Sequence, residues 1–308
     1  MGVSSVIDDH TFALCLTHDV DRPYKTFQSV YYAIRERRLS HLLDALPSRN
    51  PYWQFEDIMA LEDDLGVRSA FYVLNEPHIL QKDSQAWLCP QDWVQHVTRY
   101  DVTHPDIRDV IRRLDAEGWE VGIHGSYRSY SDPERLRFEK NTLEQCLDAR
   151  IVGGRQHYLN LSVPETWEYH AELGLRYDAS LGSGQTYGFQ YGYYPLRPFG
   201  DDFVVFPLTV MEATLPDPSS DFDTAWEELE DLLVEAADNG AVMTALWHPR
   251  FFNESEFPGF RRLYRRLIDR ALEMNAWVGP PAECYRKLDP ERACVEGLDR
   301  VNRELTKA

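Results

Sequence analysis

No stretch of about 18 consecutive apolar residues occurs in the 308-residue chain, which excludes a membrane-spanning helix on sequence grounds. The first ten residues, MGVSSVIDDH, have neither a basic n-region nor an apolar h-region, so a cytoplasmic location is the expectation. Cysteine is scarce and scattered. Cys15, Cys89, Cys146, Cys284 and Cys294 are odd in number and never spaced as CxxC, which excludes a disulfide framework and a thiolate metal cage. Lysine is nearly missing: of 32 Lys and Arg, five are lysines, leaving 27 arginines against 51 acids and a net charge of −19. Such a surface disfavours nucleic acid and anionic membranes as partners. It suits a salt-rich, halophilic cytoplasm, where the Debye length shrinks to about 3 Å at 1 M and self-repulsion fades. A GC-rich genome favouring Arg codons gives the same bias. Low-complexity tracts and short repeats are absent too.

What remains is ample for one large core, at 43% hydrophobic residues. Apolar runs bounded by polar turns fall near 12–18, 67–74, 119–124, 150–156, 175–179, 203–210, 241–248 and 276–279. Helical patterns lie between most of them. Pro105 opens one, with Ile107, Val110, Ile111 and Leu114 on one face and Gly118 closing it. Asp132-Pro133 opens another. Asp221 or Asp223 caps a long acidic helix ending at Asn239-Gly240, and Gly66 stops a helix that begins near Gln54. Repeated strand-then-helix units predict an α/β barrel or a doubly wound sheet. A barrel makes a further demand, that chemically capable residues gather at the C-terminal strand ends. They do: Asp19 and Asp21, then His124, Arg155 and His157, Asp178, Glu212 and His248 follow successive runs.

The stretch LTHDVDRP (16–23) raises the sharpest question, because a buried strand ends in His18, Asp19 and Asp21. Carboxylates two apart on an extended backbone share a face. Two like charges in a partly dry site require a proton or a cation between them. A histidine from a neighbouring strand end would complete the shell of zinc or a similar divalent ion. The bland alternative is a turn with Asp21 as an Asx cap.

The order of these motifs resembles the polysaccharide deacetylases of the NodB-homology, carbohydrate-esterase type, over roughly residues 10 to 250. THDVD is similar to their first motif in a DxD variant. HGSYRSY (124–130) sits where they carry a His-x-x-x-His pair, RQHY (155–158) where they carry Arg-x-Pro-Tyr, YDAS (177–180) at their fourth motif, and LWH (246–248) at their Leu-x-His. The resemblance implies a distorted (β/α)7–8 barrel and a metal-dependent hydrolase that removes an N-acetyl group from a carbohydrate or related substrate. It implies Asp19 as general base and Asp21 and His124 as metal ligands. Arg155 would hold Asp19 ionised, the Tyr158 backbone N–H would face the oxyanion, and Leu246 would line the acetyl pocket. His248 would be the general acid, oriented by Asp178.

Two departures stand out. The second histidine of the family pair is Arg128, which cannot ligate a metal, and the family proline is His157. His157 is therefore expected to replace the lost ligand, giving an Asp21, His124, His157 set for a divalent metal, zinc by ligand type. A substrate contact by His157 over a weak or vanished metal site is the rival. Glu212 reads as a solvated rim acid or a substrate contact. Trp53 and Trp247 offer either pocket walls or core packing. The tyrosine-rich GSGQTYGFQYGYY (182–194) is either a sugar-stacking loop or a surface loop. It is no phosphate loop, for it lacks GK[ST]. His10, His41, His78, His96, His104 and His170 read as surface or cap residues. One domain is expected, with a helical insertion at about 24–65 and a helical C-terminal extension at about 281–308. The partner is a small-molecule or oligosaccharide substrate, and the oligomeric state is open. Two other functions fit the pattern: a catalytically silent carbohydrate-binding barrel, or a glycoside hydrolase using a carboxylate pair such as Asp178 and Glu212.

Overall fold

The computed structural model describes residues 7, 9–25, 50–288 and 301. Its centre is a parallel sheet. The strands are β1 (Ala13–Val20), β2 (Ala70–Leu74), β3 (Glu120–Gly125), β4 (Gly153–Gln156), β5 (Tyr177–Asp178), β6 (Val204–Val205), β7 (Val210–Met211), β8 (Val242–Leu246) and β9 (Trp277–Gly279). They lie in the order β6-β5-β4-β3-β2-β1-β8-β7, with β9 also against the start of β1. The curled sheet has β6 and β7 at its two edges, and these are two pieces of one run, 203–210 in the sequence. Pro207 interrupts that run, since it has no N–H to give a ladder. Its neighbours still bond to both sides: Phe206 N–H to the Asp178 carbonyl (2.8 Å), Leu208 N–H to Leu181 (2.7 Å) and Thr209 N–H to Thr244 (2.9 Å). A single bent segment thus bridges the gap, which is the distortion expected of the barrel.

The connecting helices are α1 (Phe55–Asp64), α2 (Pro90–Thr98), α3 (Pro105–Ala116), α4 (Pro133–Leu147), α5 (Glu165–Glu172), α6 (Phe222–Asn239), α7 (Phe260–Glu273) and α8 (Pro281–Lys287). Their ends follow the capping signals. The Asp132 side chain accepts from Arg135 N–H at the start of α4, and Asp221 accepts from Thr224 N–H at the start of α6. Gly240 takes a left-handed conformation after α6. None of the helices among the described residues is long and apolar enough to cross a membrane. Of the expected helical insertion, α1 is described and residues 26–49 lie outside the described residues. Of the C-terminal extension, α8 is described, and beyond Leu288 only Val301. The described cysteines are unpaired, and Cys294 lies outside the described residues.

Strand alternation sorts side chains into two cores. Leu14, Leu16 and Val20 of β1 and Phe71 and Val73 of β2 face outward to the helices. Ala13, Cys15, Tyr72, Tyr177 and Phe206 fill the lower barrel interior. Gly122 and Gly153 make that possible, because a Cβ at either would collide with the Tyr72 or Tyr177 ring. His18 belongs to the outer set. Its Nδ1 lies 2.6 Å from the Trp247 carbonyl and its Nε2 3.0 Å from Glu62, which also accepts from Tyr264 and Trp119. The histidine of LTHDVDRP is therefore a satisfied pin between β1 and the helix layer, while Asp19, one residue on, points the opposite way.

Candidate active site

The upper end of the barrel holds a cavity of about 300 Å³ lined by Asp19, Asp21, His124, His157, Leu246 and His248 among others. β1 delivers Asp19, and Asp21 follows in the turn after it. In-register pairing puts His124 of β3 beside Arg155 of β4. Arg155 is fully buried and donates to Asp19 Oδ1 (2.8 Å), Thr17 Oγ1 (2.9 Å) and the Ala179 carbonyl (2.7 Å). The buried Asp19 carboxylate thus faces a fixed guanidinium on one side and the cavity on the other.

Asp21 is the centre of the group. Its Oδ1 lies 3.0 Å from His124 Nε2 and 3.6 Å from His157 Nε2, and its Oδ2 lies 3.4 Å from His248 Nε2. Burial works against the charged form of Asp21, yet His157, His124 and His248 outweigh it and hold the carboxyl well below its usual range. His124 is also drawn upward: burial opposes its protonation, but Asp19 and Asp21 prevail. Among the described residues, the partner of His124 Nδ1 is the Arg155 carbonyl, 2.9 Å away, so that nitrogen carries a proton. Its Nε2 lone pair then points at a carboxylate oxygen. Two lone pairs 3.0 Å apart need a proton or a metal ion between them.

The donor set fits a metal. One atom each from Asp21, His124 and His157 lie within 4.8 Å of one another. Ligand bonds of about 2.0–2.1 Å in tetrahedral geometry put donor atoms about 3.3 Å apart, and the 3.0 and 3.6 Å separations bracket that value. Asp21 Oδ1 is buried with no hydrogen-bond partner among the described residues, as an oxygen reserved for a cation is. His157 is the less firmly held imidazole, since its Nδ1 is buried without a partner among the described residues.

Arg128 is turned away from this group. Its guanidinium grips the fully buried Asp92 of α2 at 2.6–3.2 Å. Burial pushes Asp92 up, but the bonds from Arg128 and Lys82 hold it at about 2. The residue that departs from the family pattern ties β3's loop to α2 instead.

Tyr158 and Leu159 both have left-handed backbone, at φ 60° and 57°. Neither is glycine, so the turn is strained and is held by its surroundings. This turn brings the chain over the cavity beside His157, with the Tyr158 ring half exposed and against Tyr127.

Four expectations need correction. Asp178 does not orient His248. It is fully buried and accepts from Trp167 Nε1 (3.1 Å) and the Ser180 N–H (2.9 Å), with His170 Nδ1 3.3 Å away. The carboxylate on His248 is Glu212, at 2.6 Å from Nδ1, with its other oxygen accepting the His248 N–H at 3.3 Å. Glu212 is not a solvated rim acid but wholly buried. It drives His248 up to about 10: burial opposes the shift, and Glu212 followed by Asp21 overcomes it. Trp247 is not a wall of the cavity. Leu246 and His248 face inward, so the residue between them faces out, and the Trp247 ring packs on Tyr264. His170 is no surface residue but is buried, 2.8 Å from Gln156 Nε2. Of residues 182–194, Gly184 lines the cavity, while Tyr187, Phe189, Tyr193 and Tyr194 pack on the body. Trp53 lies against Phe55 and Tyr24, away from the cavity.

No protein-family model matches the sequence, and neither does any curated protein. Solved structures do, and they define the architecture as that of the polysaccharide deacetylases. A protein described as a polysaccharide deacetylase from Mycobacterium smegmatis is 19% identical, with 95% of each chain covered and a TM-score of 0.62. A probable polysaccharide deacetylase from Pseudomonas aeruginosa PAO1 is 17% identical, with 91% of each chain covered and a TM-score of 0.57. A Puue allantoinase is 16% identical over 91% of each chain, also with a TM-score of 0.57. At these identities the likeness is one of fold. The site itself must choose the chemistry.

Proposed function

We propose that the protein is a metal-dependent deacetylase that hydrolyses an N-acetyl amide on a carbohydrate. The observation that carries this reading is one cavity flanked by a three-donor metal set and by two separate proton-handling groups, Asp19 and the His248–Glu212 pair. Asp21, His124 and His157 would hold a divalent ion, zinc by its Asp/His ligand set. Bound there, such an ion supplies Lewis acidity and brings the pKa of water toward about 7.

The side chains divide the remaining work. Asp19, paired with Arg155 at 2.8 Å, takes the proton of the attacking water. The Tyr158 N–H, on its strained turn, faces the oxygen that becomes negative as the amide carbonyl turns tetrahedral. Leu246 gives the acetyl methyl an apolar contact. His248, held at Nδ1 by the buried Glu212, donates to the leaving nitrogen, because an unprotonated amine leaves poorly. Acetate and a free amino sugar result.

A glycoside hydrolase is less favoured: neither Asp178 nor Glu212 lines the cavity. The allantoinase on the same fold means that the fold alone leaves the substrate open. The test is acetate release from N-acetylglucosamine oligosaccharides, with and without chelator. Chelator-sensitive release supports deacetylation. Reducing-sugar release, or sugar binding without any release, overturns it.

A further inference from the structure

Two arginines that line the cavity have no pairing partner among the described residues. Arg22 follows Asp21 directly, and Arg250 lies two residues past His248. Both line the same 300 Å³ cavity as the metal set. Neither guanidinium has a hydrogen bond or an ion pair among the described residues, and the only neighbour that engages Arg250 is the Phe251 ring, 5.1 Å away. The two lie on adjoining segments, because 19–23 and 248–250 together enclose a second, smaller hollow. The charges in the cavity do not need them. Asp19 is already matched by Arg155, and Asp21 is matched by the imidazoles or by the ion they would share. Two planar cations are therefore left over, facing the substrate, in a chain whose net charge is −19.

We propose that Arg22 and Arg250 grip an anionic group on the substrate, a phosphate or carboxylate attached to the N-acetylated sugar. The guanidinium fork suits both groups, which it binds through paired N–H donors. A cavity of this size is at the small end of ligand sites, so it takes one sugar unit with its charged substituent at the mouth rather than a buried stretch of neutral polymer. This inference rests on the deacetylase reading for the identity of the sugar, but not for the binding itself.

The test compares three probes on the whole protein: N-acetylglucosamine, N-acetylglucosamine 1-phosphate and N-acetylmuramic acid. Calorimetric affinity and acetate release are measured for wild type, Arg22→Ala, Arg250→Ala and Arg250→Lys. Melting curves check that each variant is folded. One of the two anionic probes should bind at least about tenfold more tightly than the neutral sugar, the size of one charge-assisted hydrogen bond. Which anion wins distinguishes a phosphate from a carboxylate. Each alanine variant should reduce the anionic-to-neutral ratio about tenfold, and Arg250→Lys should recover part of it. If the neutral sugar binds and releases acetate as well as either anion, this inference fails and deacetylation stands. If an anion binds in an arginine-dependent way and no probe releases acetate, the inference stands and deacetylation fails. Anionic affinities that the alanine variants leave unchanged would also overturn it.

Discussion

Replacing Glu212 by Gln removes one charge from behind His248, together with the longer 3.3 Å bond from the His248 N–H. Wild-type His248 rises from an ordinary 6.5 to about 10, a difference of 3.5. At 1.36 kcal/mol per pKa unit, that is about 5 kcal/mol of attraction beyond what burial costs. Glu212, at 2.6 Å, supplies more of it than Asp21, at 3.4 Å. A single opposite charge at such range is worth about 1–3 units. The Gln amide oxygen can still accept from Nδ1–H, so the ring keeps its orientation and loses its charge support. The His248 limb of the kcat profile, where imidazolium becomes imidazole as pH rises, should therefore move down by about 1–3 units. An ion on Asp21 would withdraw that carboxylate's share and lower both limbs together, so the difference between the two proteins is the quantity to read. At pH 8 kcat should fall by up to about tenfold, because a limb moved from about 10 to about 7 leaves roughly one imidazole in ten protonated there. Glu212→Ala removes orientation as well and should fall further. Asp178→Asn is the control: it disturbs a buried cluster with Trp167 and Ser180, and it should lower the melting temperature without moving the limb. A Glu212→Gln limb that coincides with wild type would refute the dyad.

Other outcomes follow from the same geometry. Trp247→Ala should cost about 3–5 kcal/mol in denaturant unfolding, as a large core truncation, with no change in KM, because the ring packs against Tyr264 outside the cavity. Tyr158→Ala should keep most of kcat, since the part assigned to that position is its backbone N–H; a loss beyond about tenfold would transfer the role to the ring. Arg128→Ala should leave metal content unchanged by elemental analysis and destabilise the fold, because the fully buried Asp92 loses its guanidinium and keeps Lys82 as its one ion-pair partner among the described residues. With a net charge of −19, the melting temperature should rise on going from low salt to molar KCl, and a flat response would remove the salt-adapted reading.

Much of the barrel can be read from the sequence, because parallel strands buried on both faces are continuous apolar runs closed by polar turns. The strand ends inherit that clarity: Asp19, Asp21, His124, Arg155, His157 and His248 are all assembled where the runs stop. The period-2 rule also contains the correction for Trp247, since Leu246 and His248 cannot face the cavity with the residue between them doing the same. Glu212 is harder to find. It follows a run broken at Pro207, and its meaning depends on Met211 pairing with Leu246 across the sheet edge, which no local pattern discloses. The same limit applies to Arg128 and Asp92, partners separated by 36 positions. Asp178 misleads because a strand of two residues gives alternation nothing to act on, and helix α5 supplies Trp167 to satisfy it from outside.

The central proposition is that an aspartate from the first strand's turn and imidazoles from the third and fourth strands form one cation site. Elemental analysis of the purified protein after dialysis against zinc, run beside His157→Ala with circular dichroism to confirm its fold, addresses it directly. The account predicts about one divalent ion per wild-type chain and close to none in the variant. A wild-type protein that emerges empty, or a folded variant that keeps its full complement, would contradict it.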